Sequence, residues 1–247
     1  IKAPDYIKSL PNRDEIDQLI DKVSQKNIEP YQFTFKEAEL IEEELKGSKI
    51  VKRKKFPRSD VHQIILNNGA KILLKQTDFK KDEINFSAFS PGGFSTASFD
   101  KLDSAKYTED ILSSVDIGDL SVSEKNNIYS EDTIDVIPYI SEESEGLTGY
   151  SNNENLETMF KLLYLNFTDL RINQSHIDRF KKFRINKYNI DKEDPKHQYY
   201  LEFRKKTYQN HPRTQYSTDK NFEQINLTEV QNFYKDRFID GGDFDFV

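Results

Sequence analysis

Lys106, Glu109 and Asp110, in the stretch SAKYTED (104–110), stand at i, i+3 and i+4 and share one face of any helix that contains them. Metal-assisted hydrolysis at this spacing needs imidazoles at the outer positions and a carboxylate between them. Neutral nitrogen lone pairs bind the ion, and the carboxylate handles the proton of its water. Lys106 instead brings an ammonium, which has no lone pair while protonated, and Asp110 brings one short carboxylate. The pattern predicts an ion pair across a helical turn, worth about 0.2–0.5 kcal/mol, with a second use as a surface that touches a ligand. No catalytic residue and no metal ligand is assigned to this chain.

Other chemistries have less support. The histidines at 62, 176, 197 and 211 include no two at the three- or four-residue spacing of a helical metal pair. The absence of cysteine excludes disulfides, thiolate catalysis and Cys-ligated zinc. There is no G-x-S-x-G elbow. Ser90-Pro91-Gly92-Gly93 lacks the Gly-Lys-Ser/Thr of a phosphate loop and reads as a turn.

The elements that must position these residues follow from composition and period. The chain has 247 residues and a net charge of -7, and 18 Phe and 13 Tyr supply bulky core groups. Its acidic balance argues against nucleic acid as a partner, and the basic run VKRKKFPR (51–58) reads as a solvated linker. No run approaches the ~18–20 apolar residues of a membrane helix, so no membrane insertion is expected. The chain opens on Ile and stops within the strand-like DFDFV, which suggests a piece of a longer protein.

Two helical patterns, 12–25 and 34–47, predict an N-terminal helical hairpin, with Gly47 as its stop. Strands are expected on both sides of Asn68-Gly69, at 83–90, and twice within 133–151, the first of these demoted toward an edge or a bulge by Pro138. One helix is expected over 103–115, followed by a polar stretch without clear period. A second helix places Leu156, Met159, Phe160, Leu163, Tyr164 and Phe167 on its core face behind Asn152 or Asn153. Further helices are read at 174–190, after Asp194-Pro195, and at 226–238, and DFDFV closes as a strand. The fold class is α+β, a largely antiparallel sheet covered by helices.

Three blocks in order, ILNNGAKILLKQTDFKKDEINFSAFSPGG, EGLTGYSNNENLETMFKLLYLNFTDLR and the final HPRTQYSTDKNFEQINLTEVQNFYKDRFIDGGDFDFV, resemble a repeat unit of the insulinase/pitrilysin zinc metallopeptidases, and in particular the long bacterial zinc proteases. The resemblance covers roughly 47–247. It implies four similar units enclosing a chamber, only one of which carries H-x-x-E-H and a distant glutamate ligand. KYTED then stands at the motif's place, with Lys106 and Asp110 for the histidines and Glu109 for the general base. No glutamate occurs between Glu157 and Glu193, where the distant ligand should fall.

The resemblance therefore implies residues 1–55 as a helical lead-in from a preceding unit and 56–247 as a degenerate, non-catalytic unit that resembles the third of the four. It would form part of the substrate chamber and support the active half. Zinc is expected in the parent's active unit and none in this fragment. The implied partners are the other units of the same chain and peptide substrates, the implied location periplasmic or otherwise exported. Arg213 and Tyr216 of HPRTQY invite comparison with a substrate-contacting pair of the family's last unit, a role not carried over to a third unit. The alternative is a non-enzymatic scaffold or peptide-binding module that kept the peptidase fold.

Overall fold

The computed structural model describes residues 11–26, 40–41, 45–131 and 134–247. Its contacts divide the chain into two units, Ile1–Ala38 and Glu39–Val247. In the smaller unit, α1 (Arg13–Ser24) begins where Asn12 accepts the Glu15 amide at 2.9 Å and the Glu15 carboxylate accepts the Asn12 amide at 2.8 Å. This reciprocal cap satisfies two of the otherwise orphaned donors of the first turn. Most of the second helical pattern, 34–47, lies outside the described residues.

The larger unit is built on a seven-stranded sheet. In chain order it contains β1 (Ile50–Phe56), β2 (Val61–Leu66), β3 (Lys71–Lys75), β4 (Ile84–Pro91), β6 (Ile134–Ile140), β7 (Ser144–Ser151) and β9 (Asp245–Phe246), arranged spatially as β1-β2-β3-β9-β4-β7-β6. All neighbours are antiparallel except β3 and β9. Gly69, at φ +99°, makes the turn from β2 to β3 in a backbone region that glycine enters at low cost. Of the two places open to Pro138, an edge or a bulge, β6 takes the edge, where the missing proline N–H costs no second ladder. A short pair, β5 (Asp116–Ile117) with β8 (Leu170–Arg171), stands apart from this sheet.

The helices are α2 (Leu102–Lys106), α3 (Thr108–Leu112), α4 (Val122–Glu131), α5 (Leu156–Thr168), α6 (Gln174–Asp191), α7 (Pro195–Thr207), α8 (Asp219–Gln224) and α9 (Leu227–Phe238). The core joins alternate residues Ile134, Val136 and Ile140 of β6 to Ile111, Met159, Leu162, Val230 and Phe238 of the helices. The α+β class with a mostly antiparallel sheet is therefore observed.

Four local expectations are corrected. The basic run is not an irregular linker: it forms the edge strand β1, whose backbone pairs with β2 while its charged side chains stay in water. The helix expected over 103–115 is two short helices meeting at Tyr107, whose φ of -103° and ψ of 7° leave the helical region. The polar stretch after residue 115 contains β5 and α4, whose faint apolar periodicity hid them. On α5 the buried stripe is Met159, Leu162 and Leu165, while Phe160 and Tyr164 are exposed; the Asn152 side chain caps the amide of Asn155 just ahead of the helix.

Candidate functional site

Chain geometry delivers Lys106 through a turn that is pinned from three sides. After β4, Gly92 and Gly93 carry the chain over the β6–β7 turn, and the Gly93 amide donates to Glu145 Oε2 at 2.5 Å. Glu145 is almost wholly buried, and its other oxygen lies 3.8 Å from the Arg237 guanidinium of α9. Arg213 donates to the carbonyls of Phe94 and Ala97 at 3.2 and 2.7 Å and lies over the Phe99 ring. Beyond the turn, the buried Ser104 hydroxyl donates to Glu229 and accepts the Asn226 amide, so α2 is tied to the start of α9.

The three residues singled out in the sequence are parted by the break at Tyr107. Lys106 is half-buried at the end of α2, and its Nζ lies 3.4 Å from the Gln215 carbonyl. Burial lowers its pKa, as do the nearby Arg204 and Arg184, against the opposing effect of Asp103 and Glu142. Asp110 does not pair with Lys106 as expected. It meets Arg184 of α6, 3.5 Å away, because the break turns α3 toward that helix. Arg184 lies 4.9 Å from the ring centre of Tyr107, which is buried between Phe180 and Phe222. A planar guanidinium over these ring faces gains cation–π attraction while it neutralises Asp110.

Glu109 is exposed, yet partial desolvation, and secondarily Asp110, raise its pKa. A carboxyl whose folded pKa is raised costs stability when ionised and costs nothing below its ordinary range near ~4.3. Glu109→Gln is therefore expected to stabilise the fold at pH 7 by only a few tenths of a kcal/mol after solvent screening. Urea midpoints at neutral and acid pH check this: the gain should shrink as pH falls, and a gain that grows toward acid contradicts it.

The histidines serve other elements. His176 is buried and caps α6, its Nδ1 accepting the Asn173 amide at 3.2 Å, and burial holds its pKa low despite Asp116. His197 packs edge-on against Tyr216 and His211 against Phe99, while His62 lies within β2. Among the described residues no three His, Asp or Glu side chains are grouped to hold a metal ion. The donor set at 106–110 does not fit zinc: an ammonium stands at one outer position, and the carboxylate at the other is engaged by a permanent cation.

Beside this site runs a groove of about 560 Å³ lined by Glu109 and Asp110 of α3, Lys125 and Asn126 of α4, and Asp135 to Pro138 of the edge strand β6. It brings the charged helix end next to backbone groups that no strand of the described sheet pairs.

No family model matches the chain. It is 23% identical over 129 residues to the probable zinc protease PqqL of Haemophilus influenzae, a match spanning 52% of this chain and 14% of that protein. The periplasmic protease PqqL of Escherichia coli superposes with a TM-score of 0.75 at 17% identity, covering 96% of this chain and 26% of that one. The chain therefore has the fold of an insulinase-type, or M16, peptidase unit. A peptidase M16 inactive domain from Pseudomonas fluorescens shares the fold at a TM-score of 0.58 and 17% identity, over 70% of this chain and 42% of that one. The chain thus spans about a quarter or less of the PqqL proteins it matches.

The residues of the site that sequence reasoning missed are Arg184 and Tyr107. The signal for Arg184 was present in negative form, as the missing glutamate on the α6 stretch. That an arginine from this stretch reaches Asp110 depends on how α6 crosses α3. Among the described residues no helix is long and apolar enough to cross a membrane.

Proposed function

We propose that this chain is a non-catalytic unit of a larger zinc-dependent endopeptidase, forming part of the substrate chamber and supporting the active half, with zinc held in another unit of the same polypeptide. KYTED takes the place of H-x-x-E-H in this reading, and the helical segment ahead of β1 leads in from the preceding unit; the expected boundary at residue 55 moves back because 50–56 form β1 of this sheet. The carrying observation is the Asp110–Arg184 pair beside the half-buried Lys106: the positions that would face a metal hold two cations and a neutralised carboxylate. The groove and the free edge of β6 support a peptide-binding role, since an extended chain can add to a sheet edge through backbone hydrogen bonds. A periplasmic location is proposed from the E. coli relative.

The test is zinc analysis of the purified chain after dialysis against trace zinc, with a fluorogenic peptide-cleavage assay on the same sample. The expected result is essentially no bound zinc and no cleavage. About one zinc per chain with cleavage abolished by a chelator overturns the reading. An intact H-x-x-E-H elsewhere in the parent polypeptide is also expected; its absence would favour a scaffold without peptidase activity.

A sharper version installs the missing imidazoles. The double variant Lys106→His, Asp110→His is expected to acquire weak zinc affinity but no peptidase activity. Two imidazoles still lack the third protein ligand of a catalytic site, and Arg184 stays behind as a competing cation. Isothermal titration with zinc and the same cleavage assay check it, and chelator-sensitive turnover by the double variant would contradict it.

A further inference from the structure

Among the described residues, three buried side-chain nitrogens lack a hydrogen-bond partner: Arg184 Nε, Arg204 Nε and His197 Nε2. All three surround one residue, Tyr216. Arg184 and Tyr216 line one small pocket of about 70 Å³, and Arg204 and Tyr216 line a second of about 170 Å³. Tyr188 lines both, so the two adjoin. The His197 ring lies 4.8 Å from that of Tyr216. A buried polar group without a partner is costly, so neither arginine is saturated by internal partners; these nitrogens are closed to solvent, and a ligand would meet the same two arginines where they line the pockets.

The charges around the cleft agree. Among the described residues Arg204 of α7 donates to neutral oxygens only, the Thr214 carbonyl at 3.0 Å and the Tyr200 hydroxyl at 3.3 Å. Lys106 likewise meets the Gln215 carbonyl. Among the described residues neither cation has a carboxylate within ion-pair distance, although Asp103 and Glu142 lie near enough to Lys106 to act on it. Arg184 is shared with Asp110 at 3.5 Å, a loose contact for a guanidinium that can bind bidentately at 2.7–2.9 Å. The one acidic residue lining the two pockets, Glu202, is exposed. In a chain of net charge -7, this local surplus of cations is not explained by composition.

We propose that the cleft around Tyr216, between α6, α7 and the 210–218 segment, is a carboxylate-binding site that takes the acidic side chains of an extended peptide, with Arg204 and Arg184 as its lining cations and Lys106, held on the Gln215 carbonyl, beside it. The carboxylate chemistry stands on these contacts alone. That the carboxylate arrives on a peptide rests on the function proposed above. Planar guanidinium groups suit carboxylates, and the tyrosine faces give the aliphatic part of a glutamate an apolar wall.

The experiment uses fluorescein-labelled, C-terminally amidated Glu-rich peptide, its Gln counterpart, a neutral peptide with a free C-terminal carboxylate, and free glutarate as competitor, with anisotropy read on the intact chain. The Glu peptide should bind about tenfold or more tightly than the Gln peptide, and the difference should shrink with added salt. Arg204→Gln and Lys106→Met should each cost about fivefold or more for the Glu peptide and little for the Gln peptide; Arg204→Lys should recover part of the loss. Equal binding of the Glu and Gln peptides to the unaltered chain overturns the site without reliance on any variant. Glutarate competing as tightly as the Glu peptide binds would keep the carboxylate site but overturn the peptide occupant. Preference for the free C-terminal carboxylate over glutamate side chains would overturn the assignment to acidic side chains.

Discussion

Replacing Glu145 with alanine is expected to cost about 3 kcal/mol of unfolding free energy, the largest effect of any single charge in the unit. Its carboxylate is nearly inaccessible to water and accepts the Gly93 amide at 2.5 Å, with the Arg237 guanidinium 3.8 Å away. Alanine strands the amide in the interior and leaves Arg237 with only the exposed Asp236. Glu145→Gln should cost roughly half as much, because the amide oxygen can still accept from Gly93 while Arg237 keeps the exposed Asp236 but loses its buried counter-charge. The effect reaches the candidate site, since the Gly92–Gly93 turn sets where α2 begins and so where Lys106 lies. Urea unfolding followed by far-UV circular dichroism checks the prediction, and a loss below about 1 kcal/mol for Glu145→Ala would show that this carboxylate is not the pin of the turn.

Phe244→Ala should be more damaging still, at about 3–5 kcal/mol, because the ring is fully buried and packs against Phe167 and Phe238. Its position gives the loss a direction. Phe244 leads into β9, and β9 alone joins β3 to β4: Asp245 and Phe246 pair with Lys71 and Ile72 on one side and with Phe89 and Ala88 on the other. The seven-stranded sheet is thus two three-stranded sheets riveted by a two-residue strand. Weakening the rivet should expose β1–β3 before β4, β6 and β7, since the second group is also covered by α3 and α5. Hydrogen exchange in the variant should show amide protection lost first over residues 50–75. Uniform loss across both groups would mean that β9 is a passenger on a sheet held together by its helices.

Much of this architecture was legible one element at a time. Asn68-Gly69 marked its hairpin because few other residue pairs tolerate the backbone angles of so tight a turn. Asp194-Pro195 and Asn226 marked helix starts through side chains that cap free amides. Pro138 placed β6 at an edge by lacking a donor. Each of these signals acts over a few residues and survives whatever packs around it. The strand in VKRKKFPR was illegible for the opposite reason: nothing in that run favours a strand except the open ladder of β2, which lies beside it only after folding. The exposure of Phe160 and Tyr164 was hidden likewise, because helical period shows which residues share a stripe but not how wide a stripe the neighbouring sheet can cover.

The candidate site divides along the same line. The sequence by itself determined that residues 106 and 110 offer an ammonium and a carboxylate where metal chemistry at this spacing needs imidazoles, and that the α6 stretch carries no glutamate; the identity of a donor atom depends on no fold. Only the tertiary structure decided that Asp110 answers Arg184 and not Lys106, that Arg184 and Arg204 line pockets beside Tyr216, and that Lys106 meets the Gln215 carbonyl. Those contacts join residues from four separate segments, and their distances follow from the break at Tyr107 and from how α6 and α7 are held against the core. Spacing along a chain does not encode such geometry, because packing selects it from many side-chain arrangements that the same spacing permits.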